Sequence, residues 1–133
     1  MLLLDASVWV AAGIAANPAH GAAAPLAQGD APVAALDLTV YEVLNAVARQ
    51  YRQPDQAQRI VRAMLLTCGD DVVRVDLALG EEIAAVVAEH GITAYDAAYV
   101  AAARRYGWQL VSLDIRDLVS KGLAVTPDDA DYP

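Results

Sequence analysis

A chain of 133 residues that is 57% hydrophobic can bury a core without disulfides or a structural metal, and one domain over residues 1–133 is expected. Its single cysteine, Cys68, excludes a disulfide framework or a thiolate metal cluster within the chain. A net charge of −8 argues against an overall basic, phosphate-gripping surface, so any nucleic-acid contact has to come from a local patch.

The start, MLLLDASVWV, has no basic leader and falls short of the roughly 20 apolar residues that span a bilayer, which points to a cytoplasmic protein with no membrane partner. Leu2–Leu4 has the length and composition of a strand buried on both faces, ending at Asp5. Helices are expected over Ser7–Ile14 and Pro18–Gln28, the second with Asn17 as N-cap and Pro18 in the first helical position. Val33–Leu38 is the second expected strand. A helix follows it through Tyr51, with Glu42 in its first turn and Val40, Val43, Leu44 and Val47 at helical spacing.

The next helix starts at Pro54 and is expected to bury Ala57, Ile60, Val61, Met64 and Leu65, leaving Gln58, Arg59 and Arg62 outside. Val72–Val75 is the third strand, and Ala78–His90 a helix closed by Gly91. Thr93 opens an alanine-rich helix that stops at Gly107. Gln109–Leu113 gives a fourth strand ending at Asp114, and Leu123–Val125 a short fifth. The acidic end, about 127–133, is expected to be a mobile tail. Strands alternating with helices imply a central, mostly parallel sheet of four or five strands covered on both faces, an α/β/α sandwich.

Functional crevices of parallel sheets lie at the carboxyl ends of the strands, where Asp5 and Asp114 both fall. Glu42 and Asp96 each stand three residues after a threonine, in Thr39-Val40-Tyr41-Glu42 and Thr93-Ala94-Tyr95-Asp96. That pattern fits helix capping, with no catalysis required. It also brings four acids to one sheet edge, where crowded carboxylates either take up protons or hold a cation. The only lysine is Lys121, and neither His20 nor His90 stands at a ligand-like spacing to the acids, so the site is all oxygen. Oxygen donors suit Mg²⁺ or Mn²⁺. With no cysteine or histidine nucleophile and no phosphate loop, water is the expected attacking group and phosphodiester hydrolysis the expected reaction.

These residues resemble the PIN domains, and among them the VapC-type ribonuclease toxins of toxin–antitoxin pairs. The resemblance rests on LLLDASVWV, LTVYEVLNAVAR, ITAYDAAYVAAA and LVSLDIRDL, in that order, and covers nearly the whole chain. It implies a PIN-like three-layer fold and a magnesium-dependent endoribonuclease. Asp5 and Asp96 would be the principal metal ligands, with Asp114 and Glu42 completing the pocket. It also implies a VapB-type antitoxin and a homodimer.

Ser7 either supports the acidic site or simply caps the first helix. Asn45 either orients a carboxylate or is a buried amide satisfied by backbone. Asp117 competes with Asp114 for the metal-facing position, and Arg116 either meets a phosphate or pairs with one of these two acids. Arg49, Arg52, Arg59 and Arg62 face Asp55 alone over residues 49 to 62, and either guide an RNA strand or are solvated helix faces. For Tyr41, Tyr95, Tyr99, Trp9 and Trp108, core packing is the expectation and base stacking the alternative. Two other readings compete: a PIN-like interaction module with weak catalysis, favoured by the low basic content, and a receiver-type phosphotransfer domain, disfavoured because the first expected strand offers Asp5 alone.

Overall fold

The structure is a computed structural model that describes residues 1–132. Four strands, β1 (Leu2–Leu4), β2 (Val33–Leu36), β3 (Val72–Val73) and β4 (Gln109–Val111), form one sheet in the order β3-β2-β1-β4. Every pairing is parallel, with Leu2 opposite both Val33 and Gln109. Six helices connect and cover the strands: α1 (Ala6–Gly13), α2 (His20–Gln28), α3 (Asp37–Val43), α4 (Pro54–Cys68), α5 (Leu77–His90) and α6 (Ala94–Tyr106).

Side chains alternate across each strand, and this sorts the core into two layers. Leu2, Leu4, Val33, Ala35 and Val111 pack with α1 to α4, while Leu3, Ala34, Leu36 and Leu110 pack with α5 and α6. The strands are apolar throughout because both faces are covered. The layers are the expected three.

Three strands stop earlier than expected, at Leu36, Val73 and Val111 rather than at Leu38, Val75 and Leu113. Polar groups end them. The Thr39 hydroxyl accepts the Leu36 N–H at 3.2 Å and turns the chain into α3. The Asp76 carboxylate accepts the Leu79 N–H at 2.7 Å and opens α5. The Ser112 hydroxyl accepts the Asp114 N–H at 3.0 Å just past β4. The expected fifth strand, Leu123–Val125, is reduced to one parallel bridge between Val111 and Val125.

The second helix begins at His20 rather than Pro18. Asn17 accepts the Ala19 N–H at 2.9 Å, so its side chain builds a local turn instead of capping a helix. After Val43 the chain of α3 continues over Leu44–Gln50 with wider, five-residue turns, and the Tyr51 N–H reaches the Ala46 carbonyl. In α4 the stripe is narrower than expected: Ala57, Ile60, Met64 and Cys68 are buried, Val61 is half-buried and Leu65 is exposed. Gly91 and Gly107 close α5 and α6 in left-handed conformation (φ 63° and 67°), as their positions after each helix predict. Gly13 answers a different need, since a Cβ there would fall onto Ile60 where α1 crosses α4.

The acidic end is docked. Pro127 is buried in a short 3₁₀ turn, Pro127–Asp129, and the Asp131 N–H donates to Gln109 Oε1 at 2.8 Å. Pro133, the last residue of the expected tail, lies outside the described residues. Among the described residues no helix is long and apolar enough to cross a membrane.

Candidate metal centre

In the strand order β3-β2-β1-β4 the chain winds outward from β1 to β3, then returns to β1's other side at β4. The crevice between the carboxyl ends of β1 and β4 is therefore the topological switch point. The Asp5 N–H donates to the Val111 carbonyl at 3.2 Å and fixes one strand end against the other.

Asp5 is only 6% exposed, yet both its carboxylate oxygens are occupied. Oδ1 accepts from the Ser7 hydroxyl at 2.5 Å and from the Val8 N–H at 3.2 Å, which makes Asp5 the N-cap of α1. Oδ2 accepts from the Ser112 hydroxyl. Ser7 in turn accepts the Leu113 N–H at 3.0 Å, and Ser112 the Asp114 N–H, so two serines tie β1 to the loop after β4. The cap role belongs to Asp5; Ser7 lies inside the helix and supports Asp5. Burial raises the Asp5 carboxyl to a pKa of about 6, against the lowering effect of Ser112, Ser7 and Val8; the charge of Glu42 adds a further upward push.

Glu42 stands in the second turn of α3, not the first, because the helix begins at Asp37. Thr39 is not an N-cap for Glu42: it is the third residue of the helix, and its hydroxyl accepts the N–H of the N-cap, Leu36. Instead a chain of hydroxyls leads into Glu42: Leu36 N–H to Thr39 Oγ1, Thr39 and Tyr99 hydroxyls 2.8 Å apart, and Tyr99 O–H to Glu42 Oε1 at 2.6 Å. Burial raises the Glu42 pKa, the Tyr99 hydrogen bond lowers it, and the charge of Asp96 raises it.

Asp96 does begin a capped helix, its N–H donating to Thr93 Oγ1 at 3.1 Å. Its carboxylate has a second relation. One oxygen each from Asp96, Asp114 and Asp117 lie within 4.8 Å of one another, all three half-buried. Burial, then Asp114 and Asp117, raise the Asp96 pKa. Asp114 is three residues beyond the end of β4, where its Oδ1 accepts the Asp117 N–H at 2.9 Å and caps a wide turn, Ile115–Val119. That turn brings Asp117 beside Asp114, so the choice between them dissolves: both face Asp96.

Arg116 is 94% exposed and lies 3.7 Å from Asp117, the ordinary ion-pair outcome. The other arginines do not reach the acids. Arg49, Arg52, Arg59 and Arg62 are exposed, and the cavities lined by Arg59 and Arg62 contain none of the five carboxylates. Asn45 is exposed rather than buried and lines a cavity with Glu42.

Tyr99 and Trp9 belong to the core, but Tyr41 and Tyr95 are 69% and 62% exposed, against the core-packing expectation. Trp108 is half-buried and stacks on Tyr106 with centroids 4.6 Å apart.

Ser112 and the Tyr99–Thr39 relay are the parts that motif reading missed. One signal for Ser112 is a hydroxyl inside the apolar run LVSL, two residues before Asp114, mirroring Ser7 two residues after Asp5.

Fold and site together define a class: an open parallel α/β protein with a cluster of carboxylates at the switch point of its sheet. The PIN domain family model matches residues 2–121, and the chain belongs to that family. It is 31% identical over 131 residues to Ribonuclease VapC3 of Pyrobaculum aerophilum, covering 95% of this chain and 98% of that protein. Two solved structures share the fold. Mycobacterium tuberculosis VapC20, a sarcin–ricin loop cleaving toxin, superposes with a TM-score of 0.72 at 23% identity, covering 92% of this chain and 95% of that one. A toxin–antitoxin complex from Klebsiella pneumoniae gives 0.70 at 18% identity, covering 96% and 98%.

Proposed function

We propose that this protein is a Mg²⁺- or Mn²⁺-dependent endoribonuclease, the toxin of a VapBC-type toxin–antitoxin pair. The observation that carries the reading is the convergence of Asp96, Asp114 and Asp117 beyond the end of β4, with Glu42 coupled by charge to Asp96 and to Asp5; among the described residues Arg116 at the rim is the one cation paired to any of them. The kinship to a named ribonuclease supports the reaction class.

The donor chemistry fits a hard divalent cation. Carboxylate oxygens close enough to share one ion otherwise repel; burial is the main cause of the raised Asp5, Glu42 and Asp96 pKa values, and neighbouring carboxylates add to it. Asp96, Asp114 and Asp117 would hold the ion, with Glu42 near enough to feel the charge of Asp96, and Asp5 that of Glu42. When bound, the cation supplies charge neutralisation for the phosphate and acidity for the attacking water. The protein's own part is positioning: two serines fix Asp5, and the Tyr99 hydroxyl fixes Glu42. Glu42, hydrogen-bonded and half-buried, is placed to orient a water or accept its proton, and Asp5 to keep its anionic charge where the ion compensates it.

A protein partner also has a place. Leu65 and Leu66 of α4 are 41% and 73% exposed and line, with Leu44 and Val61, an apolar cavity of about 630 Å³. An antitoxin or the second subunit of a homodimer would cover it. Cys68, buried and with its thiol pushed up to about 12 by burial, stays a thiol in the reducing cytoplasm.

The decisive experiment is cleavage of an RNA substrate in Mg²⁺ by the wild type, by Asp96→Asn and by the wild type in EDTA. Loss of cleavage in the last two is expected. Undiminished cleavage in either overturns the metal-centre assignment. Co-expression with the adjacent reading frame, followed by co-purification, tests the antitoxin.

A further inference from the structure

Glu42 of α3 and Asp96 of α6 are each preceded by a tyrosine, in Thr39-Val40-Tyr41-Glu42 and Thr93-Ala94-Tyr95-Asp96. Both rings point outward, at 69% and 62% exposure, and they line one open cavity of about 560 Å³ together with Leu38, Glu42, Asn45 and Gln50. Two large aromatic side chains left in water beside an acidic centre bring nothing to folding, since neither joins a core layer.

The chemistry of the cavity is not that of a phosphate grip. Among the described residues no lysine or arginine lines it. It offers instead π faces and two carboxamides, Asn45 and Gln50, each carrying both donors and acceptors on a planar group. That combination matches a nucleobase, which presents a flat π face for stacking and an edge of alternating donors and acceptors. Its volume lies within the range of ordinary small-ligand sites. Glu42 is common to this cavity and to a second one, about 420 Å³, lined by Ser7 and Leu113 on the other side. The tyrosine groove therefore opens beside Glu42, and Tyr95 adjoins Asp96 in the chain.

We propose that this groove receives an unpaired nucleobase flanking the scissile phosphate, packed against Tyr41 and Tyr95 with Asn45 and Gln50 at its edge; this rests on the ribonuclease reading given above. A paired base has both faces stacked and its edge engaged, so only single-stranded segments, loops or bulges can enter. Stacking also gives a chain of net charge −8 a source of affinity that does not depend on releasing counterions.

The test follows the anisotropy of a short labelled RNA of unstructured sequence, and of the same strand annealed to its complement, with Ca²⁺ in place of Mg²⁺. Cleavage of both is then measured in Mg²⁺. Tyr41→Ala and Tyr95→Ala, exposed positions whose melting temperatures should stay at the wild-type value, are expected to weaken binding of the single strand by between about fivefold and a hundredfold each. KM should move more than kcat. Tyr41→Phe and Tyr95→Phe, which keep the ring, should recover most of that loss, and the duplex should bind the wild type at least about tenfold more weakly than the single strand.

Unchanged RNA affinity in both alanine variants overturns the proposal, as does a phenylalanine variant as weak as its alanine counterpart, or equal binding of duplex and single strand. Alanine variants that keep RNA affinity but no longer retain the co-expressed antitoxin would make the groove a protein-docking surface, and the proposal wrong. The two readings fail separately. A wild type that binds single strands through the tyrosines yet never cleaves them overturns the catalytic assignment alone, whereas cleavage with indifferent tyrosines overturns the groove alone.

Discussion

The two halves of the acidic centre are built on opposite principles. At Asp5 the carboxylate is buried and each oxygen is engaged, by Ser7, Val8 and Ser112. At Asp96, Asp114 and Asp117 the carboxylates are half-open and crowd one another, and among the described residues only the rim-exposed Arg116 pairs with one of them, Asp117. The first half is preorganised by neutral hydroxyls that orient a charge without cancelling it. The second is left incomplete, with a gap in the charge balance that the proposed cation would fill. An active centre of this type needs both, because a pocket of free acids would reorganise on binding and a fully satisfied one would not bind.

The largest effects test whether both halves serve one reaction. Asp5→Asn and Asp96→Asn should each lower the cleavage rate by at least about a hundredfold, measured as kcat/KM on one RNA. Their stabilities should diverge. Asp5 has a folded pKa of about 6 against an ordinary 3.8, so between these values the folded chain holds a proton that the unfolded chain releases. Metal-free stability therefore falls as pH rises from about 4 to about 6 and stays low above it. Asp5→Asn removes that slope and should raise the metal-free stability at pH 7 by up to about 3 kcal/mol, read from urea melts at pH 4 and pH 7. A variant less stable than the wild type at pH 7 would mean that the serines, not burial, dominate Asp5.

Next in size is the cation itself. At a concentration one hundred times its Kd, Mg²⁺ or Mn²⁺ should stabilise the wild type by about 2.7 kcal/mol. Asp96→Asn should lose most of that gain. Asp114 and Asp117 then separate cap from ligand. Asp114→Asn keeps a side-chain oxygen for the Asp117 N–H, whereas Asp114→Ala loses it and should cost about 1 kcal/mol without metal. Asp117→Asn should cost nothing without metal and weaken binding with it, which calorimetry resolves.

How much of this was legible in the sequence follows the same division. The strand cores and the Gly91 and Gly107 helix ends were readable, because periodicity and left-handed glycines are local signals. The strand ends were not: Thr39, Asp76 and Ser112 terminate them by side-chain hydrogen bonds inside or beside apolar runs, where hydrophobicity carries no information. Glu42 illustrates the cost. Its Thr-x-x-Glu spacing suggested a cap, yet the helix starts two residues before Thr39 and leaves Glu42 to a tyrosine 57 positions away. Such a pairing belongs to tertiary structure alone. Asp117 was ambiguous because the wide turn after Asp114 presents both acids, an arrangement that no simple helical or strand period predicts.

The smallest expected effect lies at the rim, where the two halves meet solvent. Arg116 is 94% exposed and 3.7 Å from Asp117, so its attraction is spread through water and screened by salt. It competes weakly with the cation for the same carboxylate. Arg116→Ala should therefore tighten Mn²⁺ binding by less than about twofold in low salt, with no difference at 0.5 M salt, where the screening length falls to about 4 Å. Cleavage should follow the metal and change no more than that. A tenfold loss of cleavage with intact metal binding would instead give the guanidinium a phosphate to hold. The open half of the centre would then recruit its substrate as well as its ion, and the division between a preorganised half and an incomplete one would need a third participant.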